Sequence, residues 1–258
     1  MRLTYHLPSS GAAYAPYLLD MIDGNHVLIA GTTGAGKSVL ENAIIYALLC
    51  TCYPGKSTAG TDAQMVLIDP KKVELRCYKG LPHTLLYADD ITGIVAALKA
   101  VRGMIDKRLV YMQKHGQRKS TEPPVYVFID ELVDLVTSER SREIIRLISD
   151  SASISRATNI YFIALTQSPS RKIIPAQFKL LFNCRVALRC NNSIESRQII
   201  DDDSALDLPL HGFGIVQQNL DRYKIKIPYY SDSQLLATVR HWEKQHKFSN
   251  RLFRAFHL

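Results

Sequence analysis

The stretch AGTTGAGKSVL, residues 30–40, follows the short apolar run HVLI (26–29) and precedes the mostly apolar segment ENAIIYALLC (41–50). From Gly31 to Ser38 it fits the pattern G-x-x-x-x-G-K-[ST] without a mismatch. Glycines at these positions let backbone N–H groups turn around phosphate oxygens, and the helix N-terminus that follows adds partial positive charge. Because a strand pattern precedes it and a helix pattern follows it, the stretch predicts a phosphate-binding loop rather than an ordinary glycine-rich turn.

The polar side chains of this loop have distinct expected contacts. Lys37 should reach the β- and γ-phosphates of a nucleotide, and the Ser38 hydroxyl should ligate Mg²⁺. The sequence therefore predicts ATP and Mg²⁺ as ligands. The expected nucleotide-binding residues are Gly31, Thr32, Thr33, Gly34, Ala35, Gly36, Lys37, Ser38 and Val39.

Further along the chain, short apolar runs alternate with helical patterns. Strands are predicted at 26–30, 64–70, 125–131, 160–165 and 184–190. Helices are predicted at 37–50, 90–115 and 141–157, followed by a hairpin (FGIVQQ and RYKIKIPYY) and a helix near 233–246. Strands that are apolar on both faces and separated by helices indicate an α/β fold with a mostly parallel, doubly wound sheet.

Two adjacent carboxylates close the predicted strand VYVFIDE (125–131). The carboxyl ends of parallel strands are where such folds place their chemistry. We expect Asp130 to hold Mg²⁺, mainly through water, and Glu131 to polarise the water that attacks the γ-phosphate. The alternative is that this pair caps the next helix and supplies an acidic first turn. A base beside the ion suits a hydrolytic motor better than a small-molecule kinase.

Polar residues also follow two other predicted strands. Thr166 and Gln167 come after IYFIAL (160–165), where Gln167 is expected to contact the γ-phosphate and sense hydrolysis. Thr166 has the alternative of merely ending the strand. Asp69 ends the strand in LIDPK, and either orients the Mg²⁺ shell or caps the following turn.

Composition limits the class of protein. The 258 residues are 47% hydrophobic and carry a net charge of +8, which suits one large α/β domain with a polyanionic partner. No run of about 18 apolar residues encodes a membrane span, and the N-terminus lacks the apolar core of a signal peptide. Five cysteines without a CxxC pair are typical of reduced thiols. We expect a cytoplasmic protein.

Several motifs together resemble the FtsK/SpoIIIE-type DNA translocases. They occur in the family's order and span about residues 25–217: IAGTTGAGKSV (29–39), LIDPKKVEL (67–75), YKGLPH (78–83), VFIDELVDL (127–135), SISRATNIYFIALTQSPS (153–170) and RQIID (197–201). The resemblance implies a RecA-like P-loop NTPase that works as a homo-oligomeric ring, a hexamer, around double-stranded DNA.

The sequence departs from that family in three respects. It has no N-terminal membrane helices, no winged-helix module after the motor, and only a short polar segment after KHGQRK. In addition, Gln167-Ser168-Pro169 stands where the family commonly has Gln-Arg-Pro. We therefore expect a minimal motor of the kind carried by mobile elements or phages.

Arginines are candidates for completing the site of a neighbouring subunit, where they would stabilise transition-state charge. Arg156 lies in the SRA sequence before the strand at 160–165, matches the family block and is the first candidate. Arg185 and Arg197 are the others. For each, the alternative is a structural ion pair.

DNA contact calls for cations on a loop that faces the pore. Lys114, Arg118 and Lys119 flank the end of the long helix, and Arg171 and Lys172 follow the TQSPS turn. The alternative for the first group is a solvated helix end, where the helix dipole favours cations. No aromatic residues are interleaved there, so base stacking on a single strand is not indicated.

The predicted organisation is an N-terminal extension (1–24), a RecA-like ATPase domain (25–246) and a basic amphipathic tail (247–258). The tail packs on its own domain or the next subunit, or it docks on a partner or membrane surface. Three functions stay open: a double-stranded DNA translocase, a conjugative coupling ATPase that feeds DNA into a secretion channel, and a non-motor ATP-dependent switch. A loading or membrane-complex partner is also left open.

Overall fold

An eight-stranded sheet in the order β3-β2-β4-β5-β1-β6-β7-β8 organises the chain. The computed structural model describes residues 15–51, 63–167, 176–219 and 221–255. The strands are β1 (Val27–Ala30), β2 (Gln64–Ile68), β3 (Thr84–Ala88), β4 (Val125–Ile129), β5 (Ile160–Thr166), β6 (Cys184–Leu188), β7 (Phe213–Gln218) and β8 (Asp221–Lys226). The first six pair in parallel, β7 pairs antiparallel with β6, and β8 pairs antiparallel with β7.

Helices cover both faces of this sheet. They are α1 (Ala15–Ile22), α2 (Lys37–Thr51), α3 (Ile91–Lys114), α4 (Leu132–Val136), α5 (Ser141–Ser155), α6 (Ala176–Leu181), α7 (Ser193–Ile200) and α8 (Asp232–Ala255). Successive strand residues point to opposite faces, so Val27 and Ile29 join a core with α1, α2 and α8. Leu28, between them, joins a second core with α3, α5 and α6. The sheet is therefore doubly wound, as the sequence predicted.

The ends of the strands and helices in the structure differ from the predicted ends by a few residues. The strand at 125–131 stops at Ile129, so Asp130 and Glu131 follow the strand, whereas Thr166 is the last residue of β5. The helix at 141–157 ends at Ser155 and gives way to a 3₁₀ turn at Arg156–Thr158. The helix near 233–246 is longer than predicted, since α8 runs to Ala255. The strand β3 and the helices α1, α4, α6 and α7 were not predicted.

Parallel pairing gives the sheet an amino edge and a carboxyl edge. Strand β1 ends at the carboxyl edge, where residues 31–36 connect it to α2. Helix α3 starts at that edge after β3 and runs back, which brings residues 115–124 to the amino edge, where β4 begins. At 24 residues α3 is about 36 Å long, roughly twice the ~17 Å of a five-residue strand. Its C-terminal turns therefore extend beyond the amino edge.

The two terminal helices pack on the same side of the sheet. Leu18, Met21 and Ile22 of α1 are buried against α2, so this segment of the predicted N-terminal extension packs on the domain core. In α8, the Trp242 Nε1–H donates to the Leu49 carbonyl at 3.0 Å.

Across the described ranges, no helix combines the length and the apolar character needed to cross a bilayer.

Candidate functional site

The loop between β1 and α2 has the backbone conformation that a phosphate cradle requires. Gly34 and Gly36 have φ values of +78° and +106°, in the region that glycine tolerates and other residues rarely adopt. At Gly31 a Cβ would lie 2.7 Å from the Leu188 Cβ, because the end of β6 packs directly on the loop. The glycine pattern thus has a steric reason at each of these positions.

The Lys37 side chain lies folded into this loop. Its Nζ donates to the Gly31 carbonyl at 2.8 Å and to the Thr32 carbonyl at 2.9 Å. Burial lowers the pKa of Lys37, while the nearby Glu131 carboxylate raises it. The ammonium group is thereby held by two backbone carbonyls at the place where phosphate oxygens would bind.

Glu131 lies beside the loop and is almost fully buried. Its Oε2 forms an ion pair with Lys71 Nζ at 3.1 Å. Its Oε1 accepts hydrogen bonds from the backbone N–H of Val133 at 3.3 Å and of Gln167 at 3.2 Å. Glu131 is thus the N-cap of α4, so the capping alternative is correct as a description of geometry, and a catalytic position is compatible with it.

Gln167 connects Glu131 with the phosphate loop. Its side-chain Oε1 accepts a hydrogen bond from the Thr33 hydroxyl at 3.1 Å, while its backbone N–H donates to Glu131. The residue following β5 therefore contacts both parts of the site, which is the position that a sensor of the γ-phosphate would occupy.

Asp130 follows β4 next to other carboxylates. Burial, together with the charges of Asp69 and Glu74, raises the pKa of Asp130 to about 7. Asp69 itself accepts hydrogen bonds from the backbone N–H groups of Val73 and Leu75 and from the Tyr87 hydroxyl. These contacts favour the turn-capping alternative for Asp69 and leave Asp130 as the carboxylate that fits Mg²⁺.

A further carboxyl group, Glu41, lies one turn after Ser38 on α2. It is fully buried, and neither of its oxygens makes a hydrogen bond of good geometry within the described ranges. Burial and then the nearby Asp130 and Glu74 raise its pKa well above the usual value. A divalent cation bound at Asp130 would relieve this crowding of acids, so the donor set fits the Mg²⁺ that the loop implies.

The three candidate arginines have different surroundings. Arg185 pairs with Asp201 at 3.2 Å and Arg197 pairs with Asp203 at 2.5 Å, which supports their structural alternative. Arg156 is exposed at the amino edge, and its side chain makes no hydrogen bond or ion pair among the residues that the structure describes.

The predicted DNA-contacting cations also lie at the amino edge. Lys114, Arg118 and Lys119 are exposed at the end of α3 and in the following loop. The loop sits beside the Arg156–Thr158 turn, since the Ser120 N–H donates to the Ala157 carbonyl at 2.8 Å. Arg171 and Lys172, the second candidates, lie outside the described residues.

Two residues of the site were missed in the sequence. Lys71 stands in LIDPKKVEL, and the presence of a lysine two residues after a strand-ending aspartate was the available signal. Glu41 is an acid in an otherwise mostly apolar helix, three residues after Ser38 and therefore on the same helix face. Both signals were visible, but neither gives a role without the fold.

The sheet, the glycine loop and the acidic strand end define a P-loop ATPase with a RecA-like fold. A family model described as the FtsK/SpoIIIE family matches residues 1–122. This match and the curated relatives confirm the resemblance to the FtsK/SpoIIIE type that was seen in the motifs.

Curated relatives match most of the chain. A protein named DNA translocase FtsK from Borreliella burgdorferi is 30% identical over 228 residues, covering 81% of this chain and 28% of that protein. The protein of the same name from Chlamydia trachomatis is 35% identical over 217 residues, covering 75% and 26%. The chain therefore spans less than a third of the length of these relatives.

Solved structures support the fold. The pCW3 conjugation coupling protein TcpA, in a monomer form with ATPγS, aligns with a TM-score of 0.72 and 24% identity over 82% of this chain and 62% of that one. The bacterial conjugative coupling protein TrwB aligns with a TM-score of 0.53 and 11% identity over 81% and 85%. At these identities the likeness concerns the fold alone.

Proposed function

We propose that the protein hydrolyses ATP to move double-stranded DNA, working in the cytoplasm as a homo-oligomeric ring, most simply a hexamer. Relatives that are 30% and 35% identical carry the name DNA translocase. The observation that carries the proposal is the division of the sheet into two functional edges. The phosphate loop and Glu131 lie at the carboxyl edge, whereas exposed cations lie at the amino edge.

At the carboxyl edge, each residue has a role in hydrolysis. Lys37 exchanges its bonds to the Gly31 and Thr32 carbonyls for bonds to phosphate oxygens. Ser38 and Asp130 would hold Mg²⁺, which neutralises charge on the phosphates when it is bound. Glu131 accepts the proton of the attacking water, and Gln167 reports the presence of the γ-phosphate through its contacts with Thr33 and Glu131.

Lys71 restrains Glu131 before attack. Both oxygens of Glu131 are engaged, one by two backbone N–H groups and the other by Lys71. The backbone donors are fixed by α4 and β5, whereas the Lys71 side chain is long and partly exposed. Lys71 is therefore the partner that moves toward an incoming phosphate, freeing Oε2 to accept a proton from water.

Arg156 acts on the nucleotide of the neighbouring subunit. It precedes β5, while the phosphate loop lies past the other end of that seven-residue strand, which spans about 20 Å. A side chain at the amino edge cannot reach the phosphates of its own chain across that distance. Action between subunits is the arrangement that gives this unpaired arginine a catalytic role.

Lys114, Arg118 and Lys119 contact the duplex backbone. The end of α3 extends beyond the sheet, so these cations project from the amino edge. Arg171 and Lys172 are kept as additional candidates on sequence grounds. Contacts to phosphates give affinity without sequence preference, which suits a motor that must move along any duplex.

The test is the ATPase rate without DNA, with linear duplex and with single-stranded DNA, alongside the native mass of the assembly. Stimulation by duplex in an oligomer supports the proposal. Stimulation mainly by single strands favours a conjugative coupling ATPase. An ATPase indifferent to both nucleic acids favours a non-motor switch and would overturn the proposed function.

A second experiment tests the DNA surface. Changing Arg118 and Lys119 together to alanine should weaken binding to all duplexes alike and flatten the plot of log affinity against log salt by about 0.9 per lost contact. Lys224 and Lys226 on β8, several strands away, are exposed and give a control that removes the same charge. Equal losses in both double variants would mean a bulk charge effect and no special role for the loop.

A further inference from the structure

The loop at residues 115–124 is bonded to the turn that carries Arg156. The Ser120 N–H donates to the Ala157 carbonyl at 2.8 Å, and the Val125 N–H at the end of the loop donates to the Asn159 carbonyl at 2.9 Å. The Ser120 side chain is itself buried. Both backbone bonds reach the turn within three residues of Arg156, so the two segments form one hydrogen-bonded unit.

Asn159 supplies a second set of bonds between the same segments. Its φ of +56° places it in the left-handed region at the end of the turn, where its N–H donates to the Arg156 carbonyl. From there its side-chain amide donates to the carbonyls of Ser120 at 2.9 Å and Glu122 at 3.1 Å. Tyr161 completes the arrangement by donating to the Asn159 Oδ1 at 3.0 Å.

Arg108 joins the loop and the turn from the side of α3. Its guanidinium donates to the Thr158 carbonyl at 2.7 Å and to the Pro123 carbonyl at 2.9 Å. It is partly buried and makes no ion pair within the described ranges, and its burial lowers its pKa. A partly buried arginine bonded to backbone carbonyls of two separate segments connects those segments mechanically.

We propose that Asn159 and Arg108 are positioning residues that transmit movement of the 115–124 loop to Arg156. The inference rests on the proposed function, in which this loop contacts duplex and Arg156 enters the neighbouring site. Buried backbone groups that lose their hydrogen-bond partners carry a substantial free-energy penalty. The loop and the turn should therefore shift together when duplex phosphates bind the cations of the loop. Duplex binding in one subunit would thus change the position of Arg156 relative to the nucleotide of the neighbouring subunit.

The experiment compares kcat at saturating duplex with kcat in its absence, using the full chain in its oligomeric form. Asn159→Gly keeps the left-handed backbone without strain and removes both side-chain donors, while Tyr161→Phe removes only the bond to Oδ1. Arg108→Gln is paired with Lys107→Gln, which removes the same charge from an exposed neighbour on α3. Asn159→Asp and Arg108→Lys serve if either first variant fails to fold.

Couplings between sites typically amount to about 5- to 150-fold, so we expect the stimulation ratio to fall at least about fivefold in Asn159→Gly and Arg108→Gln. Duplex affinity, its salt dependence and the two control variants should stay near wild type. A purely structural role would lower the melting temperature and reduce both kcat values equally, leaving the ratio unchanged, and that result would overturn the coupling alone. Absence of duplex stimulation in the wild type would instead overturn the proposed function together with the coupling.

Discussion

Lowering the pH from about 7.5 to about 5 should destabilise the fold through His26. This residue immediately precedes β1 and is buried. Its Nδ1 accepts a hydrogen bond from the Phe162 N–H at 2.9 Å, and its Nε2–H donates to the Ala152 carbonyl at 2.9 Å. The ring is therefore neutral in the folded state, and its burial lowers the pKa of His26 from 6.5 to about 4.

The magnitude follows from these two pKa values. Between about pH 6.5 and pH 4 the unfolded chain binds a proton at this site that the folded chain does not, so stability falls as the pH drops through that interval. The loss from His26 amounts to about 2 kcal/mol at pH 5 and approaches about 3 kcal/mol below pH 4.

Urea unfolding at a series of pH values measures this effect, followed by far-UV circular dichroism and by the fluorescence of Trp242, the single tryptophan. His26→Gln should be less stable than wild type by about 1–3 kcal/mol at pH 7.5, since it cannot satisfy both backbone partners. Because other groups such as Asp130 titrate in both proteins, the difference between the two proteins isolates His26. That difference should shrink by about 2 kcal/mol by pH 5. Parallel stability curves for the two proteins would refute the reasoning.

Three further predictions concern the nucleotide site. Lys37→Ala should abolish ATP binding, measured by fluorescent-nucleotide titration, because it removes the cationic side chain of the phosphate loop; wild-type affinity would contradict this. Glu131→Gln should still bind ATP but lose at least about 10²-fold in kcat, since an amide cannot accept the proton of water; wild-type turnover would remove Glu131 from the mechanism. Arg156→Ala should bind ATP and turn over poorly, and mixing it with Lys37→Ala subunits should restore some activity at shared interfaces. No recovery in mixed rings verified by mass would argue against action between subunits.

Most of the sheet could be predicted because its central strands are continuous apolar runs bounded by polar residues. Strand β3 (Thr84–Ala88) could not, since it is an edge strand that is only partly buried and its TLLYA sequence shows neither a long apolar run nor a clean alternation. The short helices α4 and α6 could not be predicted either, because five or six residues are too few to display a helical period. Their existence is decided by packing on α5.

Some residues of the site could likewise be predicted from contiguous sequence, whereas others depend on contacts between distant segments. The loop from Gly31 to Ser38 is a contiguous motif, so its conformation is encoded locally. Asp130, Glu131 and Gln167 were expected to converge because parallel strands end at one edge. The ion pair between Lys71 and Glu131 depends on β2 and β4 being neighbours, and that order could not be read from the chain.

The ATP site and the proposed DNA-contacting cations lie at opposite edges of the sheet, and this separation limits how ATP hydrolysis could be coupled to movement of DNA. Within one subunit the ATP site and the cations at Lys114, Arg118 and Lys119 lie at opposite ends of β4 and β5, whose residues are all buried. Close-packed interiors resist deformation, so a shift carried along these strands would have to repack both cores. A route through the neighbouring subunit avoids that cost, because Arg156 lies at the same edge as the cations and would meet the next nucleotide directly. Under the proposed function, this geometry favours coupling between subunits over coupling within one subunit, so the proposed motor would have to assemble before it could move DNA.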